Sequence, residues 1–320
     1  MQLPLPLAEP DRINGKPAFK VLFELVFYHD ALTIGEFDAL LDMWREICPP
    51  DRLTLFTISE LDFWSRLDSP VLTESARAAA EGRLTWPMFE ATRRRIQMGR
   101  ALKAQIWDGL KIDQAPGTWS MELRRLHRRD TGLHGYVRML FPIDTAPDLL
   151  IDVACRLGDL LPAHSGHGGL VFTYEPDLRF EAFRYIHAAA RRFHGIDVEA
   201  LKTTLTLMRT GVKSPCWLNF LGGEPDKEIA SGLRSQEGVR MFDLAHGTLY
   251  ALGDAPAILD VNRPPVPLQP YQALAEVLAG RLISDIGEFN GGGWLENMGS
   301  ADEWLSRFHP GSSWGPREQR

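Results

Sequence analysis

The chain has 320 residues, of which 44% are apolar, 24% charged and 10% aromatic, with 28 glycines and 22 prolines. That balance excludes a disordered or fibrous chain and suffices for one large core or two smaller ones. The net charge of −7 argues against nucleic acid as the main partner and favours a basic protein.

Cys48, Cys155 and Cys216 are widely spaced and form no C-x-x-C pair. Neither a disulfide framework nor a structural zinc site is expected, and a reducing compartment fits. No run of 18 apolar residues predicts a membrane-crossing helix. The opening MQLPLPLAEP has no basic region of the secretory kind. A cytoplasmic protein without cofactor or metal is the expectation.

Strand 19–28 opens the ordered pattern, rich in Val, Phe and Leu. Ile34, Phe37, Leu41, Trp44 and Ile47 then recur at helical spacing, with Thr33 as N-cap and Pro49-Pro50 as the stop. A second strand is predicted at 53–58, a long basic helix at 87–107 and a strand at 119–126. Strand 136–143 follows, then an apolar helix face from Leu149 to Leu161 bounded by Pro147 and Pro162, then strand 168–174. Strand–helix–strand thus occurs twice. The expected fold is α+β, a mixed or antiparallel sheet with helices packed on it, built from two similar units.

A helix is predicted from Phe180 to Phe193, an apolar run at 217–221, and a hairpin of 239–244 with 248–252 around His246-Gly247. A helix over 271–283 precedes a tail with Gly291-Gly292-Gly293 as hinge. No linker marks a boundary. One domain over 1–320 is expected, with lobes at 15–130 and 131–285 and a tail at 286–320.

Charge is uneven along the chain. Arg93 to Arg138 holds 11 Lys and Arg against 4 Asp and Glu, and Gly211 onward holds 9 against 14. The basic stretch reads as a solvated helix and loop face. Interleaved aromatics such as Trp107 and Trp119 are few there, too few for a nucleic-acid stacking surface.

Few residues are set out for chemistry. His164 and His167 stand three apart among glycines and are the candidate metal pair, the basis of an alternative reading as a metal-dependent hydrolase. Such glycines more often serve a turn and close backbone approach before a strand. Cys216 lies in an apolar run, where a thiol is usually inert. His187 sits on an apolar helix face and reads as core. No G-x-S-x-G, H-E-x-x-H or phosphate-cradling loop occurs.

Five blocks in order carry a family resemblance. They are Gly135-Tyr136-Val137-Arg138-Met139-Leu140-Phe141-Pro142, then Leu157 to Pro162 running into His164-Ser165-Gly166-His167-Gly168-Gly169-Leu170. Arg192-Phe193-His194-Gly195-Ile196-Asp197 is next. Gly211 to Gly222 follows, holding Trp217-Leu218 and Leu221-Gly222, and Gly253-Asp254-Ala255-Pro256 leads to Asp260-Val261-Asn262-Arg263. Over residues 135–263 the chain resembles the type VI secretion immunity family, the TsiV family. The resemblance implies a non-enzymatic cytoplasmic protein that binds a cognate antibacterial effector, a DNA-cleaving nuclease with a basic groove, and occludes its active or substrate-binding surface. It implies no catalytic residues, and neither a membrane nor direct nucleic-acid binding.

An acidic inhibitor is steered to a basic groove. The partner-binding candidates are therefore the acidic residues of the C-terminal third: Asp226, Glu228, Glu237, Asp243, Asp254, Asp260, Glu288, Glu296, Asp302 and Glu303. Trp294 and Trp304 are candidate aromatic anchors beside them.

Overall fold

The computed structural model describes residues 2–49, 52, 55–59, 87–108, 118–128, 132–198, 201, 208, 211–224, 226–234, 236–263, 266–283, 286, 289, 293–297 and 299–314. A short helix α1 (Leu5–Ala8) and a two-residue ribbon, β1 (Arg12–Ile13) with β2 (Lys16–Pro17), precede the main sheet. That sheet contains β3 (Lys20–His29), β4 (Leu55–Ser59), β5 (Leu102–Trp107), β6 (Ser120–Arg128), β7 (Gly132–Phe141), β8 (Ser165–Thr173), β9 (Ile196–Val198), β10 (Leu218–Gly222), β11 (Val239–Leu244) and β12 (Gly247–Leu252). Its strand order is β11-β12-β10-β8-β3-β7-β6-β5-β4, all antiparallel, with β9 added parallel to β8. The α+β expectation holds.

Strand alternation gives the sheet two different faces. On β3, Val21, Phe23, Leu25 and Phe27 enter the main core. Against them lie α2 (Ile34–Ile47) with Phe37, Leu40 and Trp44, α4 (Pro147–Leu160) with Leu150, Val153 and Leu157, and α5 (Arg179–Ala190) with Phe183 and Ile186. The intervening α3 (Pro87–Gln97) leads into β5. Leu22, Glu24, Val26 and Tyr28 alternate with the first set and turn to the second face. There a smaller core forms under α6 (Lys227–Arg234) and α7 (Gln269–Val277), from Ile229, Leu233, Tyr250, Leu252, Tyr271 and Leu274.

Thr33 caps α2 as its spacing predicts. Its hydroxyl accepts the Glu36 backbone N–H at 3.2 Å, and the Glu36 carboxylate accepts the Thr33 N–H at 2.6 Å. This reciprocal pair satisfies two of the helix's orphan donors. Pro147 opens α4, where its missing N–H costs nothing.

Three sequence expectations are corrected. The long basic helix at 87–107 ends at Gln97, where Gly99 takes φ +63° and stops it. Leu102, Ala104 and Ile106 then alternate as a strand between β4 and β6. The glycine-rich turn at 164–169 is mostly strand, since β8 begins at Ser165. A Cβ on Gly166 would sit 2.8 Å from the Val26 carbonyl oxygen, and one on Gly168 would sit 2.4 Å from Leu25 Cδ2. Those glycines therefore serve close packing in a central strand. Finally, the two strand–helix–strand units are connected differently. The first places β4 at the far edge of the sheet, beyond β7, β6 and β5, whereas the second places β8 one strand away from β7.

The tail crosses from one face to the other. Helices α8 (Gly293–Glu296) and α9 (Ser300–Leu305) bring Trp294 and Trp304 into the main core, and Phe308 joins the second one. The Trp294 indole donates to the Phe183 carbonyl at 3.0 Å, and Trp314 donates to that of Ala190 at 3.1 Å. His187 stands edge-on to both rings, as a core histidine.

Candidate functional site

Two features of the second face stand out, a buried row of charges and an open cleft. Along the row, register places Glu122 opposite both Gln105 and Arg138, and His167 opposite both Val26 and Asn219. Lys103 Nζ lies 3.6 Å from Glu122, which also accepts the Tyr136 hydroxyl at 2.6 Å. Arg138 Nε donates to Glu24. His167 Nε2 lies 3.9 Å from Glu24 and 3.4 Å from Asp197, and its ring stacks on Tyr28. Lys213 completes the row, donating to Asp197 at 2.6 Å and to the Val198 carbonyl at 3.1 Å. Each carboxylate of the row thus has a lysine or arginine beside it, which is how a fold keeps charges out of water without leaving one uncompensated.

Glu24, His167 and Asp197 each turn a ligand atom to a common point, and all three are buried. A divalent cation would meet the Lys213 ammonium and the Arg138 guanidinium there. Those cations already balance the two carboxylates, so the set does not suit a metal. The candidate pair His164 and His167 is split by the alternation of β8. His167 enters the buried row, while His164 Nε2 pairs with Asp30 at 3.0 Å. Burial pushes the Cys216 thiol far above its usual range, so it carries no thiolate at neutral pH.

Arg307 anchors the tail beside this row. It donates to the carbonyls of His194 and Trp304 and to the Ser214 hydroxyl, and stacks over Trp304 at 4.1 Å. The described arginines of the basic stretch are largely structural. Arg93 binds Asp38 at 2.6 Å, and buried Arg125 holds the carbonyls of Arg95 and Arg100, both at 2.7 Å.

Burial, joined at His194 by the nearby Arg307 charge, drives His29 and His194 down to about 4. Both are then neutral in the fold, whereas in the unfolded chain they take up protons at their ordinary pKa near 6.5. The unfolded state therefore binds more protons between those values, and stability is lost as pH falls from 6.5 towards 4. Thermal melts at pH 7.5, 6 and 5 are expected to show that decline, with a shallower slope for His29→Asn. An unchanged slope would assign the decline elsewhere.

The cleft lies where β8 begins, β10 ends and the β11–β12 hairpin turns. It has a volume of about 780 Å³, and its lining includes His164, Glu224, His246 and Arg281. Its walls are joined through backbone. The Gly222 N–H donates to the His164 carbonyl at 2.9 Å, and the Gly223 N–H to that of His246 at 3.0 Å. A Cβ on Gly222 would stand 1.9 Å from the Ala163 oxygen, and one on Gly247 would stand 2.1 Å from that of Leu221. Only glycine lets these segments approach so closely. Asp159 fixes the hairpin turn by accepting the Ala245 N–H at 2.7 Å.

The partner-binding candidates fall into several environments. Glu228, Glu237, Asp243, Asp254, Glu296, Asp302 and Glu303 are exposed, with Asp254 set 3.7 Å from Arg240. Asp226 is committed inside the fold, capping α6 at the Glu228 and Ile229 N–H groups and binding Arg281. Its pKa is held low by those backbone donors first and by Arg281 second. Asp260 grips Arg192 through two hydrogen bonds at 2.8 and 2.7 Å. Glu288, Gly291 and Gly292 lie outside the described residues. Trp294 and Trp304, expected as surface anchors, are instead fully buried. Their rings pack on Phe289, as the usual fate of tryptophan in an aromatic cluster.

Sequence reasoning missed the charge row and the cleft. The row had a signal, because Glu24 and Arg138 each interrupt an otherwise apolar strand. The cleft had little, since Glu224 and Arg281 are 57 positions apart and meet only through the sheet.

Among the described residues no helix is long and apolar enough to cross a membrane. No protein of curated function matches the chain. Among solved structures, a Pseudomonas aeruginosa T6SS protein, PA0821, is similar over 94% of this chain and 86% of its own, with a TM-score of 0.69 and 17% identity. That likeness speaks to the fold. The family model TsiV, type VI immunity for VRR-NUC, matches residues 76–308. Spanning β5 to β12 and most of the crossing tail, that match places this chain in the TsiV family of type VI immunity proteins.

Proposed function

We propose that this protein acts in the cytoplasm by binding a VRR-NUC nuclease effector and occluding its active or DNA-binding surface. The carrying observation is the family match over 76–308. Acidity supports it, since a nuclease must hold phosphate in a positive groove and a negative inhibitor is drawn to the same place. The contact candidates are the exposed carboxylates Glu228, Glu237, Asp243, Asp254, Glu296, Asp302 and Glu303. On this reading the protein works by binding, with no reaction of its own and no direct hold on nucleic acid.

Co-purification with the cognate effector, sought first in the neighbouring gene, tests the proposal. Calorimetry is expected to give a tight 1:1 complex, and DNA cleavage by the effector is expected to stop on adding this protein. Tight binding with cleavage intact would overturn occlusion. Absence of binding to a folded effector would overturn the partner assignment.

A further inference from the structure

We propose that the cleft between the start of β8, the end of β10 and the β11–β12 turn is the effector-docking site, and that it receives a lysine or arginine side chain of the nuclease. The proposal rests on the immunity reading above and gives it a place. About 780 Å³ of open volume is room for a long side chain and the turn that carries it. The walls are cross-linked by backbone hydrogen bonds at positions where only glycine fits, so little ordering cost remains to be met on binding.

Charge selects the occupant. Arg281 is neutralised by Asp226, and the His164 ring faces its neighbour Asp30. Glu224 stands exposed in the lining, and Asp243 is exposed on the hairpin strand leading into it. The remaining field is negative and suits a cation. A nuclease that grips phosphate presents such cations in its groove. One seated at Glu224 is withdrawn from DNA, so docking and inhibition become a single event. Arginine here would gain a charge-assisted hydrogen bond in a partly desolvated pocket, the setting of binding hot spots.

Calorimetry with the purified cognate VRR-NUC effector, alongside its DNA-cleavage assay, tests this. Glu224→Lys is expected to weaken binding at least tenfold, and adding Asp243→Lys to weaken it further. Glu224→Gln is expected to fall between Glu224→Lys and the parent. Ala245→Trp blocks the cleft without altering charge and is expected to weaken binding as much as Glu224→Lys. Glu181→Lys, exposed at the start of α5 and away from the cleft, is the control and is expected to bind as the parent does. Melting temperatures confirm that each variant is folded. Parent-like binding by folded Glu224→Lys and Ala245→Trp would overturn the cleft assignment and leave the immunity reading standing. Loss confined to a variant with Asp302→Lys and Glu303→Lys, on the tail, would do the same. If the parent protein itself neither binds nor inhibits the effector, the immunity reading falls and the docking assignment with it.

Discussion

Lys213→Met is expected to lower stability by about 3–5 kcal/mol in urea denaturation, as when one partner of a buried ion pair is removed. Its ammonium is the cation 2.6 Å from Asp197, a carboxylate sealed beneath the sheet's second face. Burial alone would push the Asp197 pKa up. Lys213 and then His167 outweigh burial and hold it below the ordinary value of 3.8. A carboxylate with a depressed folded pKa adds stability above its unfolded pKa and loses it as pH falls through the folded one. The parent is therefore expected to lose this contribution only below pH 3.8. Lys213→Met reverses the sign, because the stranded carboxylate now favours its proton. That variant should regain stability as pH drops from 7 to 5, relative to the parent. Lys213→Met with Asp197→Leu removes both charges and is expected to be more stable than Lys213→Met alone. A double variant no better than the single one would show that Asp197 is not stranded by losing Lys213.

Trp294→Ala is the second large effect, with an expected cost of about 3–5 kcal/mol, as for truncating a fully buried tryptophan. The ring stacks on Trp314 with centroids 5.4 Å apart and meets Phe289 edge-on at 4.5 Å. Its N–H is the donor to Phe183, so one truncation removes packing, a hydrogen bond and the seat of the tail. Trp294→Phe keeps much of the ring and is expected to cost less. Limited proteolysis of Trp294→Ala is expected to cut within 293–314 sooner than in the parent. A variant as stable and as resistant as the parent would mean that the tail holds without this ring.

Much of this fold is legible in the sequence, for reasons that differ by element. Helix α2 is read to the residue because its apolar spacing, Thr33 cap and following prolines are all local signals. The β11–β12 hairpin is read for the same reason. The end of α3 is misread because the basic run suggests continuity, while the single Gly99 that stops it is a weak mark. Ser165–Gly169 is misread because glycines usually punctuate loops, and their close-packing role depends on Val26 and Leu25, some 140 residues earlier. The aromatic fate of Trp294 is set by Phe183 and His187 on α5, and that of Trp304 by Phe289 and Lys213, which no local pattern reveals. The charge row is partly visible as Glu24 and Arg138 in apolar strands, but their pairing follows from the β3–β7 register alone. The cleft depends on the meeting of separate chain segments spread from Pro162 to Arg281 and has no local signature.

The central strand β3 also sets when this protein can be finished. Its partners on either side are residues 132–141 and 165–173, and its cover includes residues up to Trp314. Nearly everything it needs is made long after it leaves the ribosome. Pairings of such long span are slow to form and leave unpaired strand edges waiting. The sheet can close at its centre only when residues 165–173 are out, so its completion is tied to the later part of synthesis although its central strand is among the first segments made.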